Sequence, residues 1–178
     1  MTDARERVLL VSLSNWTGLS RLPAAFSRAG FRVVVAAPAR FLISRSGYTD
    51  DVVNMPEDPA HFLAALRDFM GRHGGDFRFG LICDDNLLYV LNPHRHEPWL
   101  APLLPAAPDS LAFLLSKRTF PVVCHRHGLP VPPFAIAADR DILREQAGKL
   151  GFPCILKRAA GFAGLAVQAI PDVAALQQ

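Results

Sequence analysis

Lysine is nearly missing from this chain. Lys117, Lys149 and Lys157 are its only ammonium side chains, against 16 arginines. The cations are scattered, the formal net charge is only +3, and no basic stripe with interleaved aromatics exists, so no nucleic-acid partner is expected. No apolar run approaches the roughly 18 residues that a membrane-crossing helix needs. The start, MTDARERVLLVSL, sets mixed charges before a short apolar run and has no small-residue cleavage site; neither a signal peptide nor membrane attachment is expected. Cysteine is scarce as well. Cys83, Cys124 and Cys154 are odd in number and widely spaced, which excludes a paired framework and points to reduced, buried thiols in a cytoplasmic protein. CxxC and HExxH are both absent, so neither His94 and His96 nor the Cys124, His125, His127 group is expected to hold a metal, and the histidines read as solvated loop residues.

What is present is a soluble globular composition, 51% hydrophobic and 20% charged. At 178 residues the chain has room for one good core, or for one domain and part of another. Val8 to Leu13 is an apolar run of buried-strand length. Leu22, Ala25, Phe26 and Ala29 then follow at the spacing of one helix face, with Ser20 as a candidate cap, Pro23 in the first turn and Gly30 as the stop. Arg32 to Ala37 is a second buried strand, completing a βαβ unit with a right-handed crossover and a parallel sheet. A short strand is expected at Val52–Met55, and Asp58-Pro59 starts a helix whose stripe is Phe62, Ala65, Leu66, Phe69 and Met70. Phe79 to Cys83 is the next strand. The fold class predicted is α/β, a Rossmann-like parallel sheet followed by a small, incomplete α+β subdomain.

In such sheets ligands sit beyond the carboxyl ends of the strands. Two loops are selected by that rule: Ser12 to Gly18, and Asp84-Asp85-Asn86. The first has a single glycine and no GxGxxG, so a dinucleotide pyrophosphate would lack its close backbone approach, and NAD binding is not expected. The second either orients a substrate amine or hydroxyl, or caps the LLYVL helix that follows. Asn15, Trp16, Asp84 and Asp85 are the candidate substrate-binding residues. Residues 92–108 hold five of the 15 prolines and mark the edge of the first domain.

The stretch from 151 to 170, GFPCILKRAAGFAGLAVQAI, reads as a strand ending in Lys157, a loop with Gly161 and Gly164, and a second strand. An ammonium at a strand end beside glycines suits polyphosphate: it supplies a point charge, and the glycines let N–H groups approach the oxygens. An ordinary glycine-containing hairpin turn is the alternative. Upstream, Lys117 stands before a helix that runs to His127 and ends at Gly128. Pro121 suits a helix starting at Thr119, which leaves Lys117 just ahead of it. A strand near Phe134 to Ala137 and a helix capped by Asp139 and stopped by Gly151 follow.

A lysine at a helix start, a GLPVPPF exit, a helix and then GFPCILKRAAGFAG together resemble the opening of the ATP-grasp superfamily, the carboxylate–amine and carboxylate–thiol ligases. The α/β domain before them resembles the pre-ATP-grasp domain. The likeness spans the whole chain and is specific over 117–134 and 151–167. It implies boundaries at 1–109 (pre-ATP-grasp domain), 110–127 (connecting helix) and 128–178 (partial nucleotide-binding subdomain). It also implies that Lys117 and Lys157 reach the phosphates of ATP and that the loop carrying Gly161 and Gly164 folds over the nucleotide. In the family reaction ATP phosphorylates a carboxylate, an amine or other nucleophile displaces phosphate from the acylphosphate, and Mg2+ bridges the phosphate oxygens. Arg158, Phe162 and Ala163 depart from the usual proline, serine and glycine of that loop. The acids after residue 128 fall at or in helices, so the Mg2+ ligands are expected outside this chain. The chain then reads as the front portion of a ligase joining a small carboxylate to an amine, inactive alone. About 50 residues from 128 cannot bury a core well, so exposed apolar surface and either a homodimer or a disordered flap are expected. The alternative function is a stand-alone Rossmann-like binding or interaction module.

Overall fold

The computed structural model describes residues 4–104, 106–161 and 166–177. The chain divides into two compact units, Met1–Leu111 and Ala112–Gln178.

The first unit is built on four parallel strands. The apolar run after Arg7 forms β1 (Arg7–Val11) and RVVVAA forms β2 (Arg32–Ala37); β3 (Asp51–Asn54) and β4 (Phe79–Ile82) complete the order β3-β2-β1-β4. β1 and β2 are buried on both faces, as continuous Val/Leu runs in a parallel sheet require. Alternate side chains feed two layers. Leu9, Val11, Val34, Ala36 and Ile82 face one cluster; Val8, Leu10, Val33, Val35 and Ala37 face the other. On the first side lie α2 (Pro59–His73) and α3 (Asp85–Leu91), which bury Phe62, Leu66, Met70, Leu87 and Leu91. On the second lie α1 (Leu22–Arg28) and Phe41 and Ile43 of the turn after β2.

Local chemistry explains the boundaries. Asp58 caps α2 by accepting a hydrogen bond from the His61 N–H, and Pro59 occupies the first helical position. The helix expected from Ser20 instead divides into a 3-10 turn (Thr17–Arg21) and α1. Ser20 turns its hydroxyl back to the Thr17 carbonyl rather than capping α1. The proline-rich stretch is part of this unit: its 3-10 turn Pro98–Leu103 buries Leu100 and Leu103 in the α2-side cluster. His94 and His96 pair with Glu97 and Asp109.

The second unit opens on the end of α4 (Pro108–Leu114). It continues with α5 (Thr119–Arg126), α6 (Arg140–Leu150) and an antiparallel pair, β5 (Cys154–Lys157) with β6 (Val167–Ile170). Pro121 lies in the first turn of α5, leaving Lys117 ahead of the helix. Asp139 caps α6 through the Ile142 N–H, and Gly151 ends it at φ 85°. The strand expected over 134–137 does not form; Phe134 and Ile136 lie outside any helix or strand and are exposed. A strand needs a neighbour to take its N–H and C=O groups, and among the described residues none is paired there. Exposed apolar side chains recur through this unit at Leu129, Ile142, Leu150, Ile155, Val167 and Val173. No described helix is long and apolar enough to cross a membrane.

Candidate functional site

Chemistry-bearing residues gather at one place in each unit. In the second unit the place is the β5–β6 hairpin. The register sets Ile155 opposite Ala169 and Lys157 opposite Val167, so these four share one face. That face is open: Ile155 is 57% and Val167 41% exposed, and Lys157 and Ala169 are exposed too. The opposite face carries Cys154, Leu156 and the buried Ile170. Lys157 is therefore an ammonium at the end of an aliphatic platform. The lysine and Gly161 were legible in the sequence. The platform was not, because Ile155 and Val167 read there simply as strand residues.

Lys117 meets the same hairpin from the chain before α5. Its N–H donates to the Ala159 carbonyl at 2.8 Å, two residues beyond Lys157, and its Nζ donates to the Gly161 carbonyl. Gly161 sits at φ 141°, and a Cβ there would lie 2.5 Å from the Ala166 Cβ, so only glycine fits. Gly164 lies outside the described residues. Arg158 N–H donates to the Ala166 carbonyl, extending the ladder one step toward the loop.

In the first unit the carboxyl ends of β1 and β4 lie side by side, since β4 adds on the opposite side of β1 from β2. Both sequence-selected loops thus meet at the point where strand order reverses. Asp84 joins them. Its Oδ2 accepts from the Ser12 hydroxyl and the Leu13 N–H, each at 2.9 Å. Its Oδ1 accepts from the Ser14 hydroxyl at 2.9 Å and from the Leu87 N–H at 3.0 Å, which caps α3. Asn86 donates to Ser14 Oγ at 2.9 Å. Beside this network burial, helped by the Asp84 charge, pushes the Cys83 thiol up to about 12. Asn15 is likewise engaged, its Oδ1 accepting from the Leu42 N–H. Trp16 stands 66% exposed, its indole over Gly18, where a Cβ would fall 2.6 Å from the ring. Asp85 is exposed and takes no hydrogen bond among the described residues. Asp84 and Asn15 are therefore engaged within the loops, while the Trp16 and Asp85 side chains stand exposed.

Among the described residues no three His, Cys or carboxylate groups converge to hold a cation. The described residues therefore offer no ready-made Mg2+ cage.

No protein-family model matches the sequence, and neither does any curated protein. Solved structures do match. N5-carboxyaminoimidazole ribonucleotide synthetase from Thermotoga maritima aligns at TM-score 0.65 and 15% identity, over 97% of this chain and 42% of its own. The N5-carboxyaminoimidazole synthetase from Staphylococcus aureus, complexed with ADP, aligns at TM-score 0.69 and 14% identity, over 99% and 45%. The biotin carboxylase domain of the Hydrogenobacter thermophilus 2-oxoglutarate carboxylase, a dimer in complex with MgADP, ADP and bicarbonate, aligns at TM-score 0.64 and 15% identity, over 95% and 38%. This chain spans less than half the length of each of these enzymes. The likeness is one of fold: an α/β unit and a small following subdomain, shared with the aligned part of each of these enzymes.

Proposed function

We propose that this chain is the front portion of an ATP-dependent carboxylate–amine or carboxylate–thiol ligase. In this reading the β5–β6 hairpin and Lys117 form one side of its nucleotide site. The observation that carries the reading is the anchoring of Lys117 to the backbone just beyond Lys157, which sets the two cations around one glycine-bearing loop. The open face beside Lys157 matches a nucleotide in chemistry. Ile155, Val167 and Ala169 offer aliphatic surface to a base, and the ammonium offers charge to phosphate. Lys117 would exchange its bond with the Gly161 carbonyl for a phosphate oxygen, and Gly161 leaves the backbone open to that approach.

ATP supplies the phosphoryl group that activates the carboxylate. The described residues of this chain bind and orient it, and the Mg2+ ligands and the groups that act on the acyl centre lie elsewhere. The chain is accordingly inactive alone. The carboxyl-end loops of the first unit contribute to choice of the small-molecule substrate, with Trp16 and Asp85 facing it and Asp84 and Asn15 holding the loops. The dimer recorded for the Hydrogenobacter thermophilus domain supports a homodimer here.

Calorimetric titration with ATP tests the reading. Wild type should bind, and Lys157→Ala and Lys117→Ala should each weaken binding about 10- to 100-fold, the worth of one charge-assisted hydrogen bond. Ile155→Asn, which is polar but uncharged, should weaken it through the base rather than the phosphates, so it should affect adenosine as much as ATP. Equal ATP affinity in all four proteins would exclude the site.

A further inference from the structure

We infer that Asp84 is a built-in occupant of the first unit's ligand crevice, a specificity-determining side chain that denies the crevice to phosphate-bearing ligands. In open parallel sheets the ligand crevice lies where strand order reverses, here between β1 and β4. Phosphate in such a crevice is held by backbone N–H groups and hydroxyls. Of the groups of that kind after β1, the Ser12 hydroxyl, the Leu13 N–H and the Ser14 hydroxyl are directed to Asp84 at 2.9 Å, and the Ser14 N–H donates to Ser12 Oγ at 3.2 Å. Ser12 is fully buried, so no water competes for its hydroxyl. Asp84 has no ion pair among the described residues, so a second anion would meet its charge unopposed. A dinucleotide fold keeps this space empty with glycines; here Asp84 fills it. Every residue involved lies in the first unit, so the inference is independent of the nucleotide site proposed in the second.

Chemical rescue in the full chain tests it. Asp84→Ala removes the carboxylate but keeps Cβ, leaving space for formate; Asp84→Gly leaves space for acetate. Urea midpoints are measured in sodium formate or acetate against sodium chloride at equal ionic strength. Formate should stabilise Asp84→Ala, and acetate Asp84→Gly, in a saturable way. The gain should be about tenfold in the folding equilibrium when the anion stands at ten times its dissociation constant. Wild type and Asp84→Asn, whose side chains fill the space, should respond to each salt as to chloride. Variants that respond as wild type does would overturn the inference. A second measurement needs no variant. In wild type the Leu13 and Leu87 amide resonances should hold still under inorganic phosphate, and a saturable shift there would overturn it equally.

Discussion

A methyl group added at Gly80 has nowhere to go. Its Cβ would lie 2.1 Å from Leu103 Cδ2, where ordinary carbon contacts are about 3.5–4.0 Å. Leu103 is almost fully buried in the α2-side cluster and cannot swing into water. Gly80→Ala must therefore push Leu103 off its rotamer or lift the Pro98–Leu103 turn from the sheet, at about 1–3 kcal/mol. Leu103→Ala alone leaves a void and should cost about 2–5 kcal/mol. In the double variant the methyl on residue 80 enters the space Leu103 has left. The combined loss should then fall short of the sum by about 1–3 kcal/mol, the range for residues in contact. Urea unfolding followed by tryptophan fluorescence reads this directly, because Trp99 lies in the same turn as Leu103. A Trp16→Phe background removes the only other tryptophan. Additivity within about 0.5 kcal/mol, or a neutral Gly80→Ala, would refute the packing described for this layer.

Other expectations follow from the same contacts. The Cys83 thiol, held at about 12 against 9.0, carries about 10^3-fold less thiolate than an ordinary cysteine. In the native chain it should react with a disulfide reagent far more slowly than Cys154, and equal rates would contradict its burial. The Glu97 carboxyl is lowered from 4.5 to about 2 by hydrogen bonds from Trp99 and His94 and by the Arg67 guanidinium. A lowered folded-state pKa gives stability that is complete above the unfolded value and is lost as pH falls through the folded one. The stability gap between wild type and Glu97→Gln should thus be level above about pH 4.5 and close toward pH 2. A gap unchanged across that range would contradict the pairing. Asp139→Ala should cost about 1 kcal/mol by uncapping α6, read as a lower urea midpoint for the second unit.

The sequence was most legible where the signal is local. Asp58-Pro59 and Asp139 announced their helices, and the two Val/Leu runs announced a buried parallel sheet, because caps and burial depend on neighbouring residues or on a period. Pro121 likewise marked the start of α5, but the single connecting helix expected over 110–127 divides into α4 and α5. Long-range pairing was not legible. The cap formed by Asp84 was an open alternative in the sequence, but its bonds to Ser12, Leu13 and Ser14 span 70 positions or more and needed the sheet to bring the loops together. Residues 134–137 have strand-like composition yet stay unpaired, since alternation supplies a face and not a partner. The proline-rich stretch read as a boundary because prolines punctuate loops. Its Leu100 and Leu103 bury themselves in the first unit's core, a burial that loop punctuation does not announce, with Glu97 tied to α2 through Arg67. In the candidate site, Lys117 and Lys157 were singled out by their rarity and by resemblance. The aliphatic face beside Lys157 emerged only from the strand register.

Because the chain has only three lysines, its own chemistry offers a direct readout of nucleotide binding. Reductive methylation with and without saturating ATP, followed by mass spectrometry, reports each amine separately. Lys149, paired with Glu145 on α6, serves as the internal reference. Protection of Lys117 and Lys157 together, with Lys149 unchanged, is the predicted result. Methylation of all three at the same rates in both conditions would contradict it, and with it the placement of a triphosphate at this hairpin.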